Sequence, residues 1–121
     1  MHKKSPLRSL KKKQDFKRVY GNKKSAANPL FVVYAAENEI GENRLGLSVS
    51  KKVGNAVVRN RIRRWVKEAC RLTFVQAPTR GYDFVVIARS SAGTLPREGS
   101  FAVVSGSLSQ LFSRLGVLSN D

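Results

Sequence analysis

The residues whose chemistry is most informative are cations spaced at helical intervals. Arg59, Arg63, Lys67 and Arg71 recur every four residues, an interval that places them along one side of an α-helix. Like charges at this spacing destabilise an isolated helix by roughly 0.2–0.5 kcal/mol per pair, so helix formation alone does not favour the row. A guanidinium group forms paired hydrogen bonds with phosphate oxygens and also stacks on bases. The row therefore predicts a surface for nucleic acid.

The start of the same helix also favours an anion. Asn55 is a predicted N-cap, because its side-chain oxygen can accept a hydrogen bond from a helical amide. Gly54 has no side chain, so an anion can approach the backbone closely there. Lys51, Lys52 and Arg59 surround a helix N-terminus that already carries about half a positive charge. A phosphate group would relieve this repulsion. We therefore predict a phosphate-binding corner at the entrance of the helix.

Residues for protein-based catalysis or metal binding do not cluster in the sequence. The chain has one histidine, His2, and one cysteine, Cys70, so neither an internal disulfide nor a zinc site is expected. Ser48 and Ser50 have no accompanying base and are interpreted as packing or hydrogen-bonding residues. The acidic residues are few and scattered, and we predict no protein nuclease site.

The charge balance indicates a polyanionic partner. The 121 residues contain 23 Lys plus Arg against 8 Asp plus Glu, which gives a net charge of +15. Such self-repulsion favours binding to nucleic acid. An anionic membrane surface is the alternative, but no stretch approaches the roughly 20 apolar residues of a spanning helix. The first residues also lack the apolar run of a secretory signal, so we expect a cytoplasmic protein without a membrane role.

Periodicity and turn signals predict one α+β domain with the element order α-β-β-β-α-β-α. Residues 1–9 are expected to form a flexible basic tail, residues 10–118 the domain, and residues 119–121 a short tail. The strand–helix–strand unit around the basic helix requires some parallel pairing within an α/β sandwich. The predicted elements are a helix over 10–20, a short strand before Asn28–Pro29, strands over 30–36, 44–51 and 82–89, a helix from the Asn55 cap to about Phe74, and a C-terminal helix after Ser100.

The basic helix is predicted to have two faces. One face, packed on the sheet, is apolar over a sector of roughly 120°. The opposite face carries the cationic row, with Asn60 and Arg64 beside it and no interleaved acid. An ordinary solvated face is the alternative interpretation, but such faces usually mix charges of both signs. The predicted apolar face contains Val58, Ile62, Trp65, Val66, Ala69, Leu72 and Thr73.

The run Ser48-Val49-Ser50-Lys51-Lys52-Val53-Gly54-Asn55-Ala56-Val57-Val58-Arg59-Asn60-Arg61-Ile62-Arg63-Arg64 closely resembles the signature of a known family. That family is the protein subunit of bacterial ribonuclease P, the ribonucleoprotein that removes 5′ leaders from precursor tRNA. Further similarity lies in Asp15–Tyr20, Arg44–Gly46 and Gly81–Arg89, in the family's order and spacing. The resemblance extends over roughly residues 10–89.

The resemblance implies both a fold and a division of labour. The fold is a single-domain α/β sandwich with a central, mostly antiparallel four-stranded sheet and a left-handed βαβ crossover, the reverse of the usual hand. The catalytic RNA subunit, with bound Mg²⁺, hydrolyses the phosphodiester bond to leave a 5′ phosphate. The chain would be an accessory subunit of this endoribonuclease, with no catalytic side chain and no obligate protein partner evident.

The resemblance also implies two binding surfaces. The residues expected to contact the catalytic RNA are Lys51, Lys52, Asn55, Arg59, Asn60, Arg61, Arg63, Arg64 and Lys67. A cleft between the first helix and the sheet would receive the single-stranded 5′ leader of precursor tRNA, since aromatic rings stack on unpaired bases. The core is the alternative location for Phe16, Phe31 and Val33. The residues expected in the cleft are Phe16, Lys17, Arg18, Tyr20, Phe31, Val33 and Tyr34.

Other nucleic-acid proteins share these general properties. A small ribosomal protein would have the same charge and a similar basic helix, and a DNA-binding or membrane-surface role ranks third. Composition does not separate these classes, whereas the extended motif favours ribonuclease P. The residues leave open whether Asp15 or Asp83 helps to position a metal ion.

Overall fold

A mixed β-sheet lies at the centre of the structure, a computed structural model that describes residues 7–22, 24–76 and 81–117. Within these ranges the sheet has five strands and is covered by three α-helices. A short 3-10 helix, Ser90–Thr94, lies in the connection between the last strand and the last helix. The elements are β1 (Arg8–Ser9), α1 (Lys13–Gly21), β2 (Ser25–Ala27), β3 (Phe31–Glu37), β4 (Arg44–Ser48), α2 (Ala56–Gln76), β5 (Tyr82–Ala88) and α3 (Ser100–Leu115).

The strand order is β1-β4-β5-β3-β2, which places β5 in the middle. β5 pairs in parallel with β4 and antiparallel with β3. Its nearly continuous apolar sequence fits this position, because both faces of a central strand are covered. The parallel β4–α2–β5 crossover confirms the predicted strand–helix–strand unit.

The predicted four-stranded, mostly antiparallel sheet needs one correction. β1 adds a fifth strand and pairs in parallel with β4, so two of the four pairings are parallel. Arg8 and Ser9 lie in the segment expected to be a flexible tail, and a two-residue strand is too short to show an alternating pattern. Leu10, which follows β1, is buried and donates its amide to the Leu45 carbonyl at 2.9 Å. Residues 1–6 and 118–121 lie outside the described ranges.

The sheet separates two apolar clusters. On one face Phe31, Val33 and Phe84 pack with residues of α2 and α3. On the other face a smaller cluster centred on Val19 and Val85 packs against α1. Because successive side chains of a strand point to opposite faces, alternate residues of each strand belong to different clusters.

Helix α2 begins as predicted. The Asn55 side-chain oxygen accepts a hydrogen bond from the Val58 amide at 3.0 Å, which satisfies one of the unpaired amides of the first turn. Helix α3 begins differently from the prediction, since Gly99 in the left-handed region is its N-cap and buried Ser100 is its first residue. None of the helices in the described ranges has the length and apolar character that a membrane crossing requires.

The apolar face of α2 is largely as predicted, with Leu72 as the exception. Leu72 is 38% exposed, whereas Cys70, which was not assigned to this face, is fully buried. At 100° per residue, Cys70 lies about 40° to one side of Val66 and Leu72 about 120° to the other. The buried face is therefore centred on Val66 and rotated toward Cys70.

The turn before α2 is held against the 3-10 helix, and Gly93 makes this contact possible. A Cβ atom at Gly93 would lie 1.7 Å from the Val53 carbonyl oxygen. We predict that Gly93→Ala lowers the free energy of unfolding by about 3 kcal/mol, the range of strongly overpacked sites. Urea denaturation followed by circular dichroism measures the change.

The matched control is Gly106→Ala in α3, where a Cβ atom meets no other atom within 4 Å. This substitution is expected to stabilise the protein by roughly 0.5–1 kcal/mol, the helix-propensity difference between the two residues. Equal effects of the two substitutions would contradict the steric explanation.

Candidate nucleic-acid interface

The outward side of α2 and the turn before it carry the exposed cations. Lys51 and Lys52 lie in the turn and are exposed, and on the helix Arg64 and Lys67 are exposed, with Asn60 exposed between them and the turn. None of these four cations has a carboxylate partner among the residues that the structure describes. Their charge is therefore available to an external anion.

Three further arginines of α2, Arg59, Arg61 and Arg63, are half-buried and held by contacts within the chain. Arg59 donates from Nε to the Gly54 carbonyl at 3.1 Å, and Arg63 donates from Nη1 to Oδ1 of Asn60 at 3.0 Å. The guanidinium of Arg61 lies 6.0 Å from the centre of the Trp65 ring, within cation–π distance. These contacts restrict the side chains without neutralising their charge, which favours binding to a fixed anion.

The cationic row is shorter than predicted. Arg71 forms a two-point ion pair with Glu68, at 2.5 Å from Nη2 to Oε2 and 3.1 Å from Nε to Oε1. The hydrogen bonds that Arg71 donates to the Glu68 carboxylate raise the pKa of Arg71 above its ordinary value. Glu68 lies three residues before Arg71, close to one helical turn, so their side chains are neighbours on the helix surface. The unpaired part of the row therefore ends at Lys67.

Asn55 has the capping role predicted for it, and its contact with the catalytic RNA stays a prediction. Its side-chain oxygen caps α2, and the residue is exposed at the helix entrance. The same turn is held by a hydrogen bond from the Val53 amide to the Ser50 carbonyl at 3.0 Å. Asn55 thus positions the first amides of α2 beside Lys51 and Lys52.

A second candidate surface lies on the opposite face of the sheet, beside α1. Here Phe16, Tyr20 and Tyr34 form a chain of ring contacts, with centroid distances of 6.3 and 5.1 Å. Tyr20 is 40% exposed, and Phe16 and Tyr34 are half-buried. Gly46 lets the Phe16 ring approach the sheet, since a Cβ atom there would lie 2.5 Å from Cζ of the ring. The three rings form a partly exposed aromatic surface, called the aromatic cleft from here on.

Two residues assigned to this cleft lie elsewhere. Phe31 and Val33 are fully buried on the α2–α3 side of the sheet, so the prediction for them is wrong. Strand alternation explains the error, because Tyr34 lies on the α1 side and its neighbours at odd positions point away. The same rule assigns half-buried Val32 to the cleft face, and Ile87 packs on the α1 side. An odd–even count from Tyr34 would have found Val32.

The cations of α1 have different environments. Lys17 is exposed and remains a candidate for phosphate binding. Arg18, assigned the same role, donates to the Glu37 carbonyl at 3.2 Å and forms an ion pair with Asp83. These contacts favour a structural role for Arg18.

Asp83 is a fully buried carboxylate that joins α1 to the sheet. Arg44 donates to both of its oxygens, at 2.8 and 2.7 Å, and Asn38 donates to Oδ1 at 2.8 Å. Burial alone would raise the pKa of Asp83, but the hydrogen bonds from Arg44 and Asn38 and the charge of Arg18 outweigh it and lower the pKa. Asp15 also lies 3.8 Å from Arg44.

These contacts bear on metal binding. The oxygens of Asp83 are engaged by arginine and asparagine side chains, so Asp83 does not suit a Mg²⁺ ligand. In the described part of the chain, no three acidic, histidine or cysteine side chains converge.

An α+β domain with exposed, unpaired cations on one helix and a separate aromatic surface has the features of a small RNA-binding protein. The sequence matches the Ribonuclease P family over residues 5–116. The ribonuclease P protein component of Clostridioides difficile strain 630 is 42% identical over 110 residues, covering 91% of this chain and 93% of the relative. That of Exiguobacterium sibiricum is 46% identical over 110 residues, covering 89% and 90%.

Solved structures agree. The RNase P protein of Staphylococcus aureus has a TM-score of 0.79 and 38% identity, covering 92% of this chain and 97% of that one. The RNase P protein from Thermotoga maritima has a TM-score of 0.76 and 34% identity, covering 88% and 96%. The chain belongs to the bacterial ribonuclease P protein family, which confirms the resemblance identified from the sequence.

We predict that Asp83→Asn destabilises the fold. Losing the charge leaves Arg44 without its partner, which costs about 3 kcal/mol for a buried pair. Because the native pKa of Asp83 is lowered, its contribution is fully present above the unfolded-state pKa of about 3.9 and is lost as the pH falls toward the native value. The difference in unfolding free energy between wild type and variant should therefore shrink below about pH 4.

Urea denaturation at a series of pH values measures this difference. Glu39→Gln, at an exposed residue without a described partner, is the control and should leave stability unchanged. A difference that stays constant from pH 6 to pH 3 would argue against the ion-pair explanation.

Proposed function

We propose that this chain binds the catalytic RNA of ribonuclease P through α2 and the 5′ leader of precursor tRNA through the aromatic cleft. It thereby assists the RNA-catalysed, Mg²⁺-dependent removal of the leader. The observation that carries the proposal is the presence of two surfaces with different chemistry on opposite sides of one sheet. A phosphate-binding helix suits a folded RNA, and a cleft of aromatic rings suits an unpaired strand.

The α2 surface supports binding to structured RNA. Between Ala56 and Lys67 the helix rises about 16 Å, and the Lys51–Lys52 turn extends this surface at its N-terminal end. Unpaired cations along such a length match the repeated charges of a sugar–phosphate backbone. The half-buried arginines add fixed guanidinium planes, which bind phosphate oxygens in pairs.

The aromatic cleft supports binding to the leader. Stacking of an unpaired base on an aromatic ring contributes about 1–3 kcal/mol and depends little on sequence. This suits leaders of differing sequence, with Lys17 placed to contact a phosphate. Burial, with a smaller effect of Tyr34, raises the pKa of Tyr20 above its ordinary value, so its ring stays neutral at physiological pH.

In this proposal the chain contributes charge and position, and no side chain takes part in the chemical step. Mg²⁺ is bound mainly by the RNA and supplies the activation of water and the stabilisation of developing charge. The cations of α2 would reduce repulsion between RNA phosphates and so lower the Mg²⁺ concentration required. We expect the complex to act in the cytoplasm.

The direct test is reconstitution with ribonuclease P RNA and precursor tRNA at low Mg²⁺ concentration. We expect the protein to increase the rate of 5′ cleavage at least tenfold, an effect of about 1.4 kcal/mol on the barrier. At high Mg²⁺ concentration the difference should decrease. Failure to stimulate cleavage at any Mg²⁺ concentration would favour the ribosomal-protein alternative.

The leader contact is tested in the same assay with Tyr20→Ala. Loss of one stacked base, at about 1–3 kcal/mol, should weaken binding of leader-containing precursor roughly five- to 150-fold without changing binding of tRNA that lacks a leader. Leu72→Ala is the matched control, since Leu72 is 38% exposed and Tyr20 is 40% exposed. Equal losses for the two substrates would remove the cleft from the proposal.

The contact with the catalytic RNA is tested by salt dependence. Each lost phosphate contact reduces the slope of log affinity against log salt by nearly one unit, so Arg63→Gln with Arg64→Gln should reduce it by nearly two. The control is Arg97→Gln, at an exposed residue of the loop before α3, which should leave the slope unchanged. An unaltered slope in the double variant would exclude this helix as the phosphate contact.

A further inference from the structure

We propose that a groove between the sheet edge and α2 binds one unpaired nucleotide of the RNA, with its base on leucine side chains and its phosphate on Arg64 and Lys67. This groove lies on the α2 side of the sheet, whereas the aromatic cleft lies on the α1 side. The inference deepens the proposed function and rests on it, because the nucleotide belongs to the RNA that α2 binds.

The floor of the groove is apolar and is built by the pairing of β1 with β4. Leu45 and Leu47 lie two residues apart on β4, so both side chains point toward α2, and Leu7, just before β1, also lines the groove. Leu45 is almost fully buried, and Leu7 and Leu47 are half-buried at the margin of the main core. The volume of about 520 Å³ falls in the range of small-molecule sites. It is large enough for a single nucleotide.

The α2 side of the groove is cationic. Arg64 and Lys67 are exposed there, and neither has a partner among the described residues. The one acid on this side, Glu68, is bound by Arg71 at 2.5 Å, which offsets its charge. The groove therefore presents positive charge next to a leucine surface.

A second acid near the sheet edge is also paired. Arg8 of β1 lines the groove, and its Nε atom lies 2.6 Å from a carboxylate oxygen of Glu42. The β1 side is therefore close to neutral, and the net positive charge of the groove comes from α2. A ligand with its anionic group toward α2 and its apolar part toward the strands matches this polarity.

A nucleotide combines these features in one ligand. A free phosphate would leave the leucine floor unused, and an apolar peptide would leave two cations without partners. The chain's own first residues carry Lys3 and Lys4 and no acid, so they have the same sign as α2 and are a poor match for it. The nucleotide must be unpaired, because a base within an RNA duplex does not expose its face to a side chain.

The test separates the base contact from the phosphate contact by measuring affinity for ribonuclease P RNA over a range of KCl concentrations. Leu47→Ser should weaken binding about tenfold at every salt concentration, with an unchanged slope, because contact with the base releases no counterions. Lys67→Gln should instead reduce the slope by about one unit. Leu72→Ser, the same substitution on exposed α2 surface outside the groove, should bind like wild type.

The wild-type complex gives a second measurement that does not depend on how a variant folds. With methyl-labelled leucine, we expect nuclear Overhauser contacts from the Leu7 and Leu47 methyl groups to base protons of the RNA. Contacts to ribose protons only, to protein protons only, or none at all would overturn the inference. So would a Leu47→Ser variant that is folded and binds like Leu72→Ser.

The two proposals fail in distinguishable ways. If the wild-type protein binds the RNA with a steep salt dependence but the leucine methyl groups contact no base, only the groove inference is wrong. If the wild-type protein does not bind the RNA, both the proposed function and this inference are overturned.

Discussion

The arrangement of the two proposed binding surfaces depends on the ion pairs of the buried Asp83 carboxylate. It lies on the α1 face of the central strand, opposite Arg44 of β4 in the register of the sheet, and also binds Arg18 of α1. An uncompensated charge at this position would be costly, so the two arginines and Asn38 must remain in place. The carboxylate thus fixes α1 against the sheet, and with it the position of the aromatic rings.

Four exposed cations of α2 and the turn before it show the opposite pattern. Where Arg18 and Arg44 are satisfied within the fold, Lys51, Lys52, Arg64 and Lys67 have no carboxylate partner in the described residues. With a net charge of +15, the compact state repels itself, and a bound polyanion relieves this repulsion. Association with RNA is therefore expected to stabilise the folded protein as well as to create the complex.

The sheet itself separates the two proposed RNA-binding surfaces. One face supports α2, whose outer side and adjoining groove are proposed to bind the catalytic RNA, and the other face supports α1 and the aromatic cleft. A substrate strand and a catalytic RNA could then occupy the protein together without competing for the same side chains. The protein would act by holding the two RNAs in a defined geometry, an entropic contribution to catalysis that needs no catalytic side chain.

The sequence alone determined the basic helix, its cap at Asn55, the strand–helix–strand unit around it and the family. Each of these features depends on local spacing or on a long specific motif, and these two signals can be read without knowing which distant residues are in contact. Tertiary structure decided the rest. The burial of Cys70 in place of Leu72 and the addition of β1 follow from packing between distant segments. The pairing of Arg71 with Glu68 is local, but Glu68 has several cationic neighbours on the helix, and the folded structure decides which of them it binds. On β3, Phe31 and Val33 point to one face of the sheet and Tyr34 points to the other. The sequence of a strand does not specify which helix covers which face, so only the tertiary structure shows that α1 lies on the Tyr34 side.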